Sequence, residues 1–99
     1  MENAREYLDK EMAVEKIKSS TKEEMDDLLV SIIKYKLTQE KDQHKLYEFF
    51  TYIYDSLYHD ILFKRVSLDK QTIHMLEVLA MPIYDQWVIN SFLSKLKIW

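Results

Sequence analysis

The chain has 99 residues, a net charge of −3 and 47% hydrophobic residues, a composition typical of one small globular domain. It contains no Gly and no Cys, which excludes glycine-rich phosphate loops, glycine-flanked nucleophile elbows, disulfides and thiolate metal sites. Because proteins that bind nucleic acid need a surplus of basic residues against the phosphates, the acidic balance argues against a nucleic-acid partner.

Helical patterns begin close to the N-terminus. Residues 2–19 are rich in Glu, Lys, Ala and Met, which are good helix formers, and this predicts a first helix. Thr21, followed three residues later by Glu24, predicts a capping box at the start of a second helix over 22–38. Four apolar residues of that segment have the spacing of one buried helix face: Met25, Leu28, Leu29 and Ile32.

The third predicted helix, residues 42–64, is the most aromatic part of the chain and is expected to lie at the centre of the fold. Tyr54 and Tyr58 are among the tyrosines beside its apolar stripe. Helical spacing favours core packing for these aromatics over a ligand pocket or an interface, which are the alternatives. The stripe that we expect to be buried consists of Leu46, Phe50, Ile53, Leu57 and Ile61.

Two further helices are predicted towards the C-terminus. Ser67 is placed as the N-cap of a fourth helix over 68–80. Pro82 favours the first position of a fifth helix over 82–97, with one kinked continuous helix as the alternative. The expected fold is therefore an all-α, antiparallel bundle of four to five helices that forms a single domain.

Candidate catalytic and metal-binding residues are few. Asp55 and His59 stand four residues apart, which favours an exposed ion pair over part of a metal site, since zinc needs three or four ligands. The paired carboxylates Glu23–Glu24 and Asp26–Asp27 lie in a predicted first helical turn, where the helix dipole favours their ionised form. We expect no enzyme activity, no cofactor and no metal.

The last predicted helix carries more apolar surface than one face of a small bundle can cover. We therefore predict a partner-binding surface there, which serves either a homodimer or another protein. Packing of this helix onto its own bundle is the alternative, in which case the same residues belong to the core. Contact with an anionic membrane surface is a weaker alternative, because two lysines give little attraction. The predicted site consists of Trp87, Phe92, Lys95, Lys97 and Trp99.

Residues 46–80, reading LYEFFTYIYDSLYHDILFKRVSLDKQTIHMLEVLA, resemble the central part of the enterocin A-type immunity proteins of class IIa bacteriocin producers. The shared pattern is an aromatic-rich helix, a short basic and apolar junction at 63–68, a Ser or Thr cap, and a helix with spaced Leu and Ile. The resemblance implies an antiparallel four-helix bundle in the cytosol that protects its cell from a pore-forming peptide through a membrane receptor complex. In that family the C-terminal half sets specificity.

The sequence also leads to expectations about cellular location and function. The start of the chain lacks the basic and apolar segments of a signal peptide, and the longest apolar run, Val78–Tyr84, has seven residues, far below the roughly 20 needed to cross a bilayer. We therefore expect a cytoplasmic, non-catalytic interaction protein, with bacteriocin immunity as its specific role. The alternative is a small helical protein of a virus or phage that acts as a dimeric adaptor or inhibitor of host machinery.

Overall fold

Five helices and no strand occur in residues 9–81 and 86–98, the part of the chain that the computed structural model describes. The predicted all-α fold is therefore confirmed. The first of these helices begins at Lys10, and the start of the predicted helix over 2–19 lies outside the described residues, as does Pro82. The helices are α1 (Lys10–Ser19), α2 (Lys22–Gln39), α3 (Gln43–Leu62), α4 (Lys70–Leu79) and α5 (Gln86–Ile98).

Aspartate side chains fix the starts of three helices. The Asp9 carboxylate accepts hydrogen bonds from the backbone N–H groups of Glu11 and Met12 at 2.9 and 3.1 Å. Asp42 accepts from the N–H of His44 at 2.9 Å, at the start of α3. Such caps satisfy N–H groups that have no partner inside the helix, and each stabilises a helix by about 1 kcal/mol.

Of two predicted caps, one lacks its side-chain hydrogen bond and the other is wrong. The side chain of Thr21 makes no capping hydrogen bond, although its backbone precedes α2 as predicted. Ser67 does not cap α4, because Asp69 does so by accepting from the N–H of Gln71 at 2.8 Å. The N–H of Asp69 in turn donates to the Asp26 carboxylate at 2.9 Å, so that α2 holds the start of α4 in place.

The core is built mainly by α2 and α3. Five α3 residues are buried, and they include four members of the predicted stripe, whereas Ile61 is only partly buried. α3 lies at the centre as predicted, since it packs against both α1 and α4, and α2 shares that position by packing against α1 and α5. The buried apolar residues of these two helices are Met25, Leu29, Ile32, Ile33, Leu37, Leu46, Phe49, Phe50, Ile53 and Leu57.

Contacts between side chains give the directions of the helices. The Lys10 ammonium lies 5.1 Å from the centre of the Tyr52 ring, and the Lys18 ammonium lies 4.0 Å from the Asp60 carboxylate. Since both contacts join residues 42 positions apart, α1 and α3 run in the same direction. Short connections reverse the chain between α1 and α2 and between α2 and α3. The C-terminal ends of α1 and α3 therefore meet at one end of the bundle.

Candidate functional site

The predicted site on the last helix is only partly exposed. Trp87 on α5 is 75% exposed and Lys95 is also exposed, with its ammonium 5.9 Å from the centre of the Phe92 ring. Phe92 is 6% exposed and belongs to the core, so the prediction that it faces a partner is corrected. The reason is that α5 packs against α2 through the face that carries Phe92. The side chain of Lys97 and all of Trp99 lie outside the described residues.

Another exposed apolar surface lies at the C-terminal end of α3. Its most exposed members are Phe63 at 61%, Leu62 at 58% and Tyr58 at 44%. Exposed apolar side chains that adjoin one another mark association sites more often than isolated ones do. We call this group the aromatic surface and define it by Tyr54, Tyr58, His59, Leu62 and Phe63.

Ring contacts order the side chains of the aromatic surface. The rings of Tyr54 and Tyr58 meet edge to face at 5.8 Å, and those of Tyr58 and His59 do so at 5.6 Å. The His59 ring stacks on Phe63 at 6.4 Å with an angle of 17° between the ring planes. These contacts follow helical spacing, since Tyr54 and Tyr58, and likewise His59 and Phe63, stand four residues apart. Linked rings lose little further conformational freedom when a partner binds.

Tyr54 joins the aromatic surface to the core. Its side chain is half-buried and packs against the core cluster. Burial raises the pKa of its hydroxyl, and the negative charge of Glu77 on α4 raises it further. Because Tyr54 packs against the core, it provides a fixed base for the Tyr58 ring that contacts it.

The turn after α3 positions the far end of the aromatic surface. The N–H of Phe63 donates to the carbonyl of His59 at 2.9 Å, and the N–H of Arg65 donates to the carbonyl of Asp60 at 2.7 Å. Lys64 between them is left-handed, with a φ of 58°. The turn brings the Arg65 guanidinium to 5.4 Å from the centre of the Phe63 ring and to 3.6 Å from the Asp60 carboxylate. A cation thus lies beside the exposed aromatic rings.

The sequence contained one signal for the aromatic surface that our interpretation missed. Tyr54 and Tyr58 lie beside the core stripe, as predicted. Leu62 follows Tyr58 by four residues and so continues the same helical row, which our interpretation did not include. Helical spacing alone does not show whether such a row is buried or lies exposed beside the buried face, and so the exposed position of these residues was missed. The predicted Asp55–His59 ion pair is wrong, because His59 stacks on Phe63 and forms no ion pair with Asp55.

A buried lysine is the second unusual feature. Lys36 on α2 is only 7% exposed, and its ammonium lies 4.6 Å from the centre of the Phe49 ring. Burial lowers the pKa of Lys36, an effect that Glu40 opposes and Lys45 reinforces. Sequence pattern gave no indication of this position, because a lysine within an amphipathic helix ordinarily lies on the solvated face.

The lowered pKa of Lys36 predicts how stability depends on pH. Because the folded state releases the proton more readily than the unfolded state, the free energy of unfolding should rise as pH increases towards the ordinary lysine pKa of 10.5. Lys36→Met should flatten that rise and increase the free energy of unfolding at pH 7, where the buried charge opposes folding. Urea titrations between pH 7 and 10 measure both effects. Identical pH dependence in the two proteins would contradict the assignment, and Lys34→Met, at an exposed position of α2, is the control.

Two further findings concern metal binding and membrane-spanning helices. Within the described residues, no three His, Asp or Glu side chains are grouped so that they could hold a metal ion. In the same part of the chain, no helix has the length and apolar character needed to cross a membrane.

Comparisons with protein-family models, with curated proteins and with solved structures find no match to this chain.

Proposed function

We propose that this chain is a non-catalytic interaction protein that binds a protein partner through the aromatic surface. The observation that supports this most is the exposure of Phe63, Leu62 and Tyr58 next to one another on a single helix end. Aromatic residues and Arg are the side chains that most often dominate binding energy in protein interfaces. The aromatic surface has both kinds of side chain, because the Arg65 guanidinium lies beside the Phe63 ring.

The specific role that we propose is bacteriocin immunity in the cytoplasm. The segment that resembles the immunity proteins, residues 46–80, comprises nearly all of α3 together with α4. The same segment carries the aromatic surface and the turn that positions Phe63 and Arg65. The proposed partner is a protein of the membrane receptor complex that the pore-forming peptide uses.

Expression in a bacterium sensitive to class IIa peptides tests this role. The wild-type chain should raise the peptide concentration that inhibits growth, and Phe63→Ser should lose most of that protection. An interface residue of this kind contributes about 2 kcal/mol, or roughly 30-fold in affinity. The matched control is Met12→Ser on α1, because Met12 is 43% exposed and lies outside the aromatic surface.

Two results would contradict the proposal. Absence of protection by the wild-type chain across a panel of such peptides would refute the immunity role. Equal protection by wild type and Phe63→Ser, with both proteins expressed and folded, would refute the use of the aromatic surface. Circular dichroism of each purified variant establishes whether it is folded.

A further inference from the structure

The aromatic surface contains a row of side chains along α3, and Tyr58 lies at the middle of that row. Tyr54 precedes Tyr58 by four residues and Leu62 follows it by four, so the row extends over about 12 Å of helix. A row with this arrangement can pack against an antiparallel copy of itself about a two-fold axis, because each end then meets the opposite end. The charges at the two ends decide whether such packing is favourable.

The Phe63 end of the row is positive. The Asp60 carboxylate there lies 3.6 Å from the Arg65 guanidinium and 4.0 Å from the Lys18 ammonium of α1. A third cation, Lys64, is exposed and forms no ion pair with any residue that the structure describes. Three cations against one carboxylate leave this end positive, although the whole chain has a net charge of −3.

The Tyr54 end of the row is negative. Burial raises the pKa of the Tyr54 hydroxyl, and the negative charges of Glu77 and Asp55 raise it further. The Thr51 hydroxyl donates to the carbonyl of Ala80 at 3.3 Å, which shows that the C-terminal end of α4 lies beside this part of α3. Both carboxylates are exposed, and neither pairs with a cation in the described part of the chain.

We propose that the aromatic surface binds a second copy of this chain, with the two α3 helices antiparallel. About a two-fold axis at Tyr58, the Tyr54 end of each copy lies against the Phe63 end of the other, so that negative charge meets positive charge twice. The parallel orientation brings like charges together and is disfavoured. The two Tyr58 rings meet at the axis, and Tyr54 of one copy faces Leu62 of the other.

The pairing is weak and reversible. Contact through one helix face and its flanking charges falls in the smallest class of interfaces, which bury less than about 1,200 Å² in total. We expect a dissociation constant on the order of 10 μM. The inference rests on the proposed function only in that it uses the same surface. Because the dimer covers Phe63, self-association competes with binding of another partner there.

Sedimentation equilibrium of the purified full chain tests the pairing, with a monomer expected at about 1 μM and a dimer at about 500 μM. Lys64→Asp with Arg65→Glu makes both ends of the row negative, and Asp tolerates the left-handed turn. Asp55→Lys with Glu77→Lys makes both ends positive. Each double variant should be monomeric, whereas an equimolar mixture of the two should recover the dimer, because opposite charges then meet again.

A matched control separates this local effect from a change in net charge. Lys34→Glu with Lys41→Glu alters the net charge as much as the first double variant does, at exposed positions outside the aromatic surface. This control should dimerise like wild type. Circular dichroism establishes folding, and if a double variant is unfolded, Tyr58→Arg decides the question instead. That substitution places two like charges at the axis and should give a monomer.

Three results would overturn the proposal: a wild type that stays monomeric at every concentration, a dimer that the charge reversals or Tyr58→Arg leave as tight as wild type, or a mixture of folded double variants that stays monomeric. The first of these leaves the aromatic surface to a partner of another sequence. A monomeric wild type whose protection is lost in Phe63→Ser would refute the pairing and support the proposed function. A dimer that gives no protection would do the reverse.

Discussion

Leu57→Ala should lower the free energy of unfolding by about 2–5 kcal/mol. Leu57 is fully buried in the core, so truncation removes apolar contacts and leaves a cavity that the surrounding helices fill only in part. Since a domain of this size is stable by only about 5–15 kcal/mol, the loss should be evident in urea and thermal unfolding.

The matched control for this substitution lies five residues further along the same helix. Leu62 is 58% exposed, and Leu62→Ala should change the free energy of unfolding by less than about 0.5 kcal/mol. Both substitutions replace Leu by Ala, which changes intrinsic helix propensity by only a few tenths of a kcal/mol, so the difference between their losses mainly reports burial. Equal losses in the two variants would mean that the buried and exposed faces of α3 are assigned incorrectly.

Phe92→Ala should cost about 3–5 kcal/mol, whereas Trp87→Ala on the same helix should cost less than about 0.5 kcal/mol. Phe92 is buried where α5 packs against α2, and Trp87 is 75% exposed. Chemical unfolding of the two variants measures this contrast directly.

The same pair of variants addresses the predicted homodimer. If Phe92 contributes only to the core, Phe92→Ala should destabilise the fold without a change in oligomeric state before unfolding begins. Light scattering at high protein concentration records that state. A dimeric wild type together with a Phe92→Ala variant that is folded but monomeric would show that Phe92 contributes to an interface between two copies.

Much of the fold could be predicted because it depends on local patterns. The predicted second helix over 22–38 corresponds to α2 at Lys22–Gln39, and four of the five expected stripe residues of α3 are buried. Helix starts were less predictable, since Ser67 and Asp69 are comparable caps and only the contact between Asp69 and Asp26 on α2 distinguishes them. That contact joins residues 43 positions apart, which no local pattern reveals.

The candidate site was harder to predict than the fold. Trp87 is exposed, as expected, whereas Phe92 is buried. An excess of apolar residues on a helix predicts that some are exposed, but it does not show which ones a neighbouring helix covers. The aromatic surface gains Phe63 through its stacking on His59, and the turn at Lys64 brings Arg65 to the Phe63 ring. A left-handed lysine is not apparent from sequence, since Gly is the usual residue at such positions.

The central claim is that the aromatic surface contacts a protein partner, and photo-crosslinking tests it most directly. A photoreactive phenylalanine analogue is placed at position 63 of the chain expressed in bacteriocin-sensitive cells. Separate variants carry it at position 12 on α1, the exposed control, and at position 87 on α5, the exposed residue of the last helix. Cells are irradiated with and without the pore-forming peptide, and crosslinked products are identified by mass spectrometry. We predict a crosslink from position 63 to a protein of the membrane receptor complex and none from position 12. A crosslink from position 87 on α5 without one from position 63, or equal labelling from positions 12 and 63, would contradict the claim.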